Sequence, residues 1–353
     1  MKKILAGVLV VVMLVSCFSI TSVAAVSEPT SYTAMQKAVL AMERADVNKD
    51  SQYSTDDAIL LLKAAAGIVE PKEEHDVDAD GAVSVSDAKR LLGVIAGVDS
   101  VVSKKDALEI FNQQINSVKS KRPGFNKVAT VVCPSIKVTT SGAPMSSLNV
   151  TNMEYNQYVD KFVGVVEGLG SLAGDDIKDD LNAMKQSAVD VYKPQVTKKT
   201  VYATYNTHFT HFPVNNLGWA SKLTVNDVQS VSCAVDGEKL VVTVNMDNYV
   251  YNGNDYPTGS SGFSKRQELP YGKAFNLPAL DESDGSTVNK MEFRNGKITI
   301  EVDMATEEIL TADYNYTYIS SVTAAKEEGS NLVMKTTTTT NVNENYVMGV
   351  VEE

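Results

Sequence analysis

Twice, in matching register, the chain places oxygen-bearing side chains at the first, third, fifth and twelfth positions of a twelve-residue window. The windows read DVNKDSQYSTDD at 46–57 and DVDADGAVSVSD at 76–87. Asp46, Asn48, Asp50 and Asp57 thus align with Asp76, Asp78, Asp80 and Asp87. Repetition at fixed spacing means one structural unit built twice, and this constrains the fold more than any other feature of the chain.

Oxygens in that order are what a hard cation of calcium's size requires. The loop curls round the ion, odd-numbered side chains point inward, and the carbonyl of the seventh residue (Gln52, Ala82) faces it. The twelfth carboxylate closes the shell from the first turn of a following helix. Gly81 holds the sixth position, where the chain turns sharply and positive φ is common. Ser51 stands there in the first copy, which predicts strain and a weaker first site. The closing residue is Asp in both copies, shorter in reach than Glu.

Each window runs into an apolar stretch: Ile59 to Leu62 with Ala64 to Ala66 before Gly67, and Leu91, Leu92, Val94 and Ile95 before Gly97. These patterns predict short helices stopped by glycine. Neither buries its face alone, so the smallest stable module is a pair, with metal contributing to its folding. Charge agrees. Of a net −12, the stretch from Glu43 to Asp99 holds thirteen acidic against six basic residues. Such a surplus favours cations nearby and argues against a nucleic-acid partner, which needs clustered Lys and Arg.

The duplicated D-x-[DN]-x-D-x6-D loop, with a helix after each copy and no regular entering helix between them, resembles the type I dockerin family over residues 42–99. The resemblance implies paired loop-helix F-hands that hold two calcium ions and dock, calcium-dependently, onto a cohesin domain of a scaffolding protein, as in cellulosomes. In that family, loop positions 10 and 11 and the outward helix face touch the partner. Carried over, these are Thr55 and Asp56, Val85 and Ser86, with Lys63, Lys89 and Arg90 on the helices. The family's Ser-Thr loop pair is absent from both copies, a departure that bears on partner choice and on a dual binding mode.

Lys2 and Lys3 precede an apolar run to about Ile20 and the small residues Val23-Ala24-Ala25, the pattern of a secretory signal over 1–25. Leu14-Val15-Ser16-Cys17 offers a competing lipobox with Cys17 as a lipid-modified residue. Met35, Val39 and Met42 lie at helical spacing in the segment from Tyr32 to Arg44, which makes 26–41 a leader or entering helix that runs into the first loop; a floppy linker is the alternative. After cleavage only Cys133 and Cys233 remain, as a disulfide or as two free thiols.

At 353 residues there is room for about two domains. Over 104–353 the pattern changes. Leu108, Phe111, Ile115 and Val118 predict a helix ended by Pro123-Gly124, and further helical stretches follow near Asn152–Val166 and 175–191. Lys239–Tyr251, Lys297–Met304, Ile309–Val322 and Leu332–Val342 read as long strands joined by turns such as Asp236-Gly237 and Asn295-Gly296. The threonines from Thr336 to Thr340, between apolar ends with chain following on, read as an edge strand; a low-complexity linker is the alternative. The expected architecture is α+β: a small all-α calcium-binding module followed by an antiparallel-sheet domain with covering helices.

Chemistry in this larger part is thinly signalled. His208 and His211 form an HxxH, but the flanking Tyr205, Phe209 and Phe212 read as strand or loop, which sends the rings to opposite faces. The carboxylate pairs Glu301/Asp303, Glu307/Glu308 and Asp281/Glu282 are available for glycoside hydrolysis, yet none sits in a recognisable signature. Tyr314, Tyr316 and Tyr318 share a strand face, as sheet packing or as a platform for sugar rings. Trp219 lies in a loop among Asn215, Asn216 and Gly218. These features predict a secreted, scaffold-attached protein displaying a non-catalytic binding or structural domain. A polysaccharide-degrading hydrolase is the alternative, and a calcium-stabilised module without a cohesin partner is a third reading.

Overall fold

The computed structural model describes residues 32–349 except 51, 79, 144, 171–178, 180–181, 184–185, 187–195, 214–219, 260–261, 281–284, 325–328 and 330. The signal segment and Cys17, Ser51, Trp219 with its neighbours, and Asp281 and Glu282 therefore lie outside the described residues. So does most of the helix expected at 175–191. The chain falls into two compact units. One contains the residues through Gln114 with Ser230–Thr243 and Glu301–Glu308; the other contains Ile115–Gln229, Val244–Ile300 and the residues from Ile309 onward.

In the first unit, α1 (Ala34–Ala45) begins with a capping box. Thr33 Oγ1 accepts from Gln36 N at 3.2 Å, and Gln36 Oε1 accepts from Thr33 N at 3.1 Å. Met35, Ala38 and Met42 are buried, so the entering segment is a packed helix and not a floppy linker. Helices α2 (Thr55–Ala65) and α3 (Val85–Ile95) pack on each other through Ala58, Leu61, Ala64, Ala88 and Leu91, all with at most 1% exposure. Both end as the glycines require. Gly67 and Gly97 take φ of +68° and +71°, and the next residue's amide reaches back to Lys63 O (2.8 Å) or Gly93 O (3.0 Å). Ile59, placed by sequence in the apolar run, is 42% exposed; it falls on the outward side of α2.

Helix α4 (Lys104–Lys121) ends before Pro123, and β1 (Phe125–Ser141) follows. The remaining elements are β2 (Val150–Glu154), α5 (Tyr155–Gly170), β3 (Val196–Ala203), α6 (His208–His211), β4 (Val228–Asp236), β5 (Lys239–Met246), β6 (Tyr249–Asn252), α7 (Phe263–Glu268), β7 (Thr287–Asp303), β8 (Glu308–Thr323) and β9 (Val333–Met348). The nine strands among the described residues form one antiparallel sheet, ordered β2-β1-β9-β8-β7-β5-β4, with β3 on β1 and β6 on β7. The fold is α+β. Pro134, which has no N–H to give the ladder, sits where the β1–β9 register shifts between Val132 and Ser135.

Two sequence expectations are corrected here. Asn295-Gly296 is not a turn between strands but lies inside continuous β7. Asn295 has φ +54°, and Gly296 donates its N–H to Tyr271 Oη at 3.0 Å; a Cβ there would meet that ring at 2.5–2.7 Å. The glycine permits close approach, not reversal. Thr336–Thr340 is not an edge: β9 is central, with Thr336 opposite Val138 on one side and Val322 on the other. Helix α5 lies against β1 and β2, while Tyr271 stacks on Phe293 and Phe275 meets Tyr314 and Tyr316 edge-on.

Candidate metal centre

The two acidic windows form loops with the same internal hydrogen bonds. In the first, Asp50 N donates to Asp46 Oδ1 (3.0 Å) and Asn48 Oδ1 (2.9 Å), Gln52 N to Asp50 Oδ1 (2.9 Å), and Asn48 N to Asp57 Oδ1 (2.9 Å). In the second, Asp80 N donates to Asp76 Oδ1 and Asp78 Oδ1 (both 3.2 Å), Ala82 N to Asp80 Oδ1 (2.9 Å), and Asp78 N to Asp87 Oδ1 (3.1 Å). Short polar side chains thereby hold successive backbone amides and fold the chain inward at alternate residues. Gly81 has φ +89°, as its place in the loop requires.

In the second loop, carboxylate oxygens of Asp76, Asp78 and Asp80 lie within 4.8 Å of one another. Oxygens that bind calcium stand 2.3–2.6 Å from the ion, so a trio with that spread fits one cation of this size. Among the described residues this is the one group of three or more His, Cys, Asp or Glu that converges so tightly. Asp76 is fully buried, and burial raises its pKa, opposed by the amide of Gly81, by Arg44 and by the amide of Asp80.

Asp57 and Asp87, the closing residues, are fully buried and serve a second purpose that the spacing did not reveal. Each is the third residue of its helix and completes a capping box with Ser54 or Ser84. Asp87 Oδ2 accepts from Ser84 N at 2.7 Å and its Oδ1 from Val77 N at 2.7 Å. Burial pushes the Asp87 carboxyl up to about 6 despite these bonds. The S-x-x-D strings at 54–57 and 84–87 carry this signal in the sequence.

The residues carried over as partner contacts divide. Thr55, Asp56, Lys63 and Lys89 are exposed, while Val85 and Ser86 are partly covered. Arg90 differs from the expectation of an outward side chain: it is partly buried, and its Nη2 donates to Val101 O at 3.0 Å, within its own unit.

Other candidates resolve into structure. His208 and His211 lie on the four-residue helix α6, not on a strand. His208 is 1% exposed, stacked on Phe212 (5.0 Å) and edge-on to Phe125 (5.1 Å). Tyr314 and Tyr316 are buried among Phe275, Phe293 and Tyr346, which is sheet packing and not an open platform. Glu301 pairs with Lys239 (2.8 Å), Asp303 accepts from the amides of Ala305 and Thr306, and Glu307 accepts from Thr33 Oγ1 (2.9 Å). Cys133 and Cys233 are free, half-buried thiols; burial pushes Cys233 up to about 12.

Comparison with protein-family models, with curated proteins and with solved structures found no match to this chain. Among the described residues, no helix is long and apolar enough to cross a membrane.

Proposed function

We propose that residues 42–99 are a calcium-dependent docking module of dockerin type, which attaches a secreted protein to a cohesin domain on a scaffold. The remainder of the chain is, in this reading, a non-catalytic binding or structural domain carried as cargo. The observation that supports it most is the convergence of Asp76, Asp78 and Asp80 in a loop whose hydrogen-bond register recurs in its duplicate. Asp76, Asp78, Asp80, the carbonyl of Ala82 and Asp87 would hold one ion; Asp46, Asn48, Asp50, the carbonyl of Gln52 and Asp57 would hold the other. Each ion neutralises carboxylates that otherwise repel, and so lets α2 and α3 present their exposed faces in fixed positions. The polysaccharide hydrolase gains no support from the carboxylates that are described.

Calorimetric titration of the full chain with calcium tests the module, and titration of the calcium-loaded chain with cohesin domains tests the partner. Two ions taken up per chain, and cohesin binding abolished by chelator, are expected. Calcium uptake with no binding to any cohesin would leave a metal-stabilised module without the scaffold role, and no uptake would remove both.

A further inference from the structure

The last turn of α1 touches both loops, through three successive residues. Tyr53 Oη, from the first loop, donates to Met42 O at 3.3 Å, and Lys49 Nζ, from the same loop, donates to Glu43 O at 3.0 Å. Arg44 reaches the other way. Its Nη1 donates to Asp76 O at 3.1 Å, the carbonyl of the first residue of the second loop, and its Nη2 meets Glu73 Oε1 at 3.2 Å. The Arg44 side chain is only 5% exposed. One residue further along, α1 ends and Asp46, the first ligand position of the first loop, caps it.

We propose that the end of α1, acting through Arg44, couples the two loops so that filling the first with calcium raises the affinity of the second. This rests on the reading of both windows as calcium loops. The physical route is short. Closing the first loop round an ion fixes Asp46 and the two straps at Met42 and Glu43, and so fixes the final turn of α1. Arg44 departs from that turn. A guanidinium whose donors are held in a rigid fork transmits the position of its own backbone to the groups it bonds, here Asp76 O and Glu73. Asp76 then enters the second loop already placed, and the ion meets less ordering cost there. A buried charged donor is needed for this. Its carbonyl and carboxylate partners pin it on two sides, so it cannot swing free as a surface side chain would.

The experiment is calcium titration of the full chain in four forms: the native chain, Asp50→Ala, Arg44→Met, and the double variant. Asp50→Ala silences the first loop, and Met keeps the length of Arg44 without its donors. With Arg44 present, silencing the first loop should weaken the second by about tenfold. With Arg44→Met, the same change should alter the second loop by less than about twofold. Equal weakening in both backgrounds, or none in the native background, overturns the coupling while leaving the calcium sites intact. No uptake in the native chain instead fails the calcium reading on which it stands. If Arg44→Met does not fold, Lys49→Met with Tyr53→Phe cuts the straps on the first-loop side at exposed positions. The coupling should then fall by at least about threefold, and an unchanged value overturns the proposal.

Discussion

Asp80 and Asp87 illustrate how residues of one type in one loop differ in what they hold. Asp80 accepts one amide, from Ala82, whereas Asp87 is fully buried and accepts those of Val77, Asp78 and Ser84. Asp80→Asn keeps the Oδ1 acceptor, so metal-free stability should change by less than about 0.5 kcal/mol while uptake by the second loop is lost. Asp87→Ala should cost about 2–3 kcal/mol even without metal, because it strips three backbone donors of their acceptor. Urea unfolding in chelator separates the two, and equal losses would refute the double role. His208 yields a pH prediction. Burial, reinforced by Arg122 and Lys119, lowers its pKa to about 4. Below pH 6.5 the unfolded chain takes up a proton that the folded chain refuses until about pH 4. The contribution is therefore complete above 6.5 and is lost as pH falls through that window, by on the order of 3 kcal/mol. His208→Phe should flatten this part of the acid-unfolding curve, and an unchanged slope would show that the histidine is not responsible. The duplicated loops with their matching internal hydrogen bonds were legible because spacing alone encodes them. The capping role of Asp87 was also there to be read, in the S-x-x-D string at 84–87, whereas the inward turn of Arg90 was not, since it depends on what lies nearby in space.

At the scale of elements, the sequence is most telling where punctuation is local. The Gly67 and Gly97 stops, the Pro123 boundary and the helical period of Met35 and Met42 all sit where the structure has them. It is ambiguous where one residue type serves two purposes. Asn295-Gly296 suggests a turn because glycine permits reversal, yet Gly296 also permits Tyr271 to lie against the backbone. Gly296→Ala should therefore destabilise by about 1–3 kcal/mol through overpacking, and Tyr271→Phe by about 1 kcal/mol through the lost bond to the Gly296 amide. The two together should cost less than their sum, since they act on one contact; strict additivity in thermal melts would argue against that contact. The threonine run lies between apolar ends with chain following on, which suggests an edge strand. Its β-branched side chains suit a central strand equally well, and polarity alone cannot distinguish a solvated face from a solvated edge.

For the whole molecule, the α+β class was readable from the change in pattern near Lys104. That Ser230–Thr243 and Glu301–Glu308 join the first compact unit was not, because such grouping comes from contacts far apart in sequence. If calcium orders only the head, hydrogen exchange on the full chain should slow in α2, α3 and both loops on adding the ion, with β1 and β9 unchanged. Protection spread evenly over the chain would contradict a locally folded metal module. Those two strands carry one more implication. Lys127 and Glu344 are ion-paired across 217 residues of sequence, in the middle of the sheet. As the polypeptide emerges, β1 exists long before its permanent neighbour and must meanwhile present an open ladder edge. Loss of β9 would not trim the sheet at one side but cleave it in two, leaving β1 and β8 each with a row of unmet amides and carbonyls. The facing edges of β1 and β8 thus stay open to self-association until β9 has been made and slots between them.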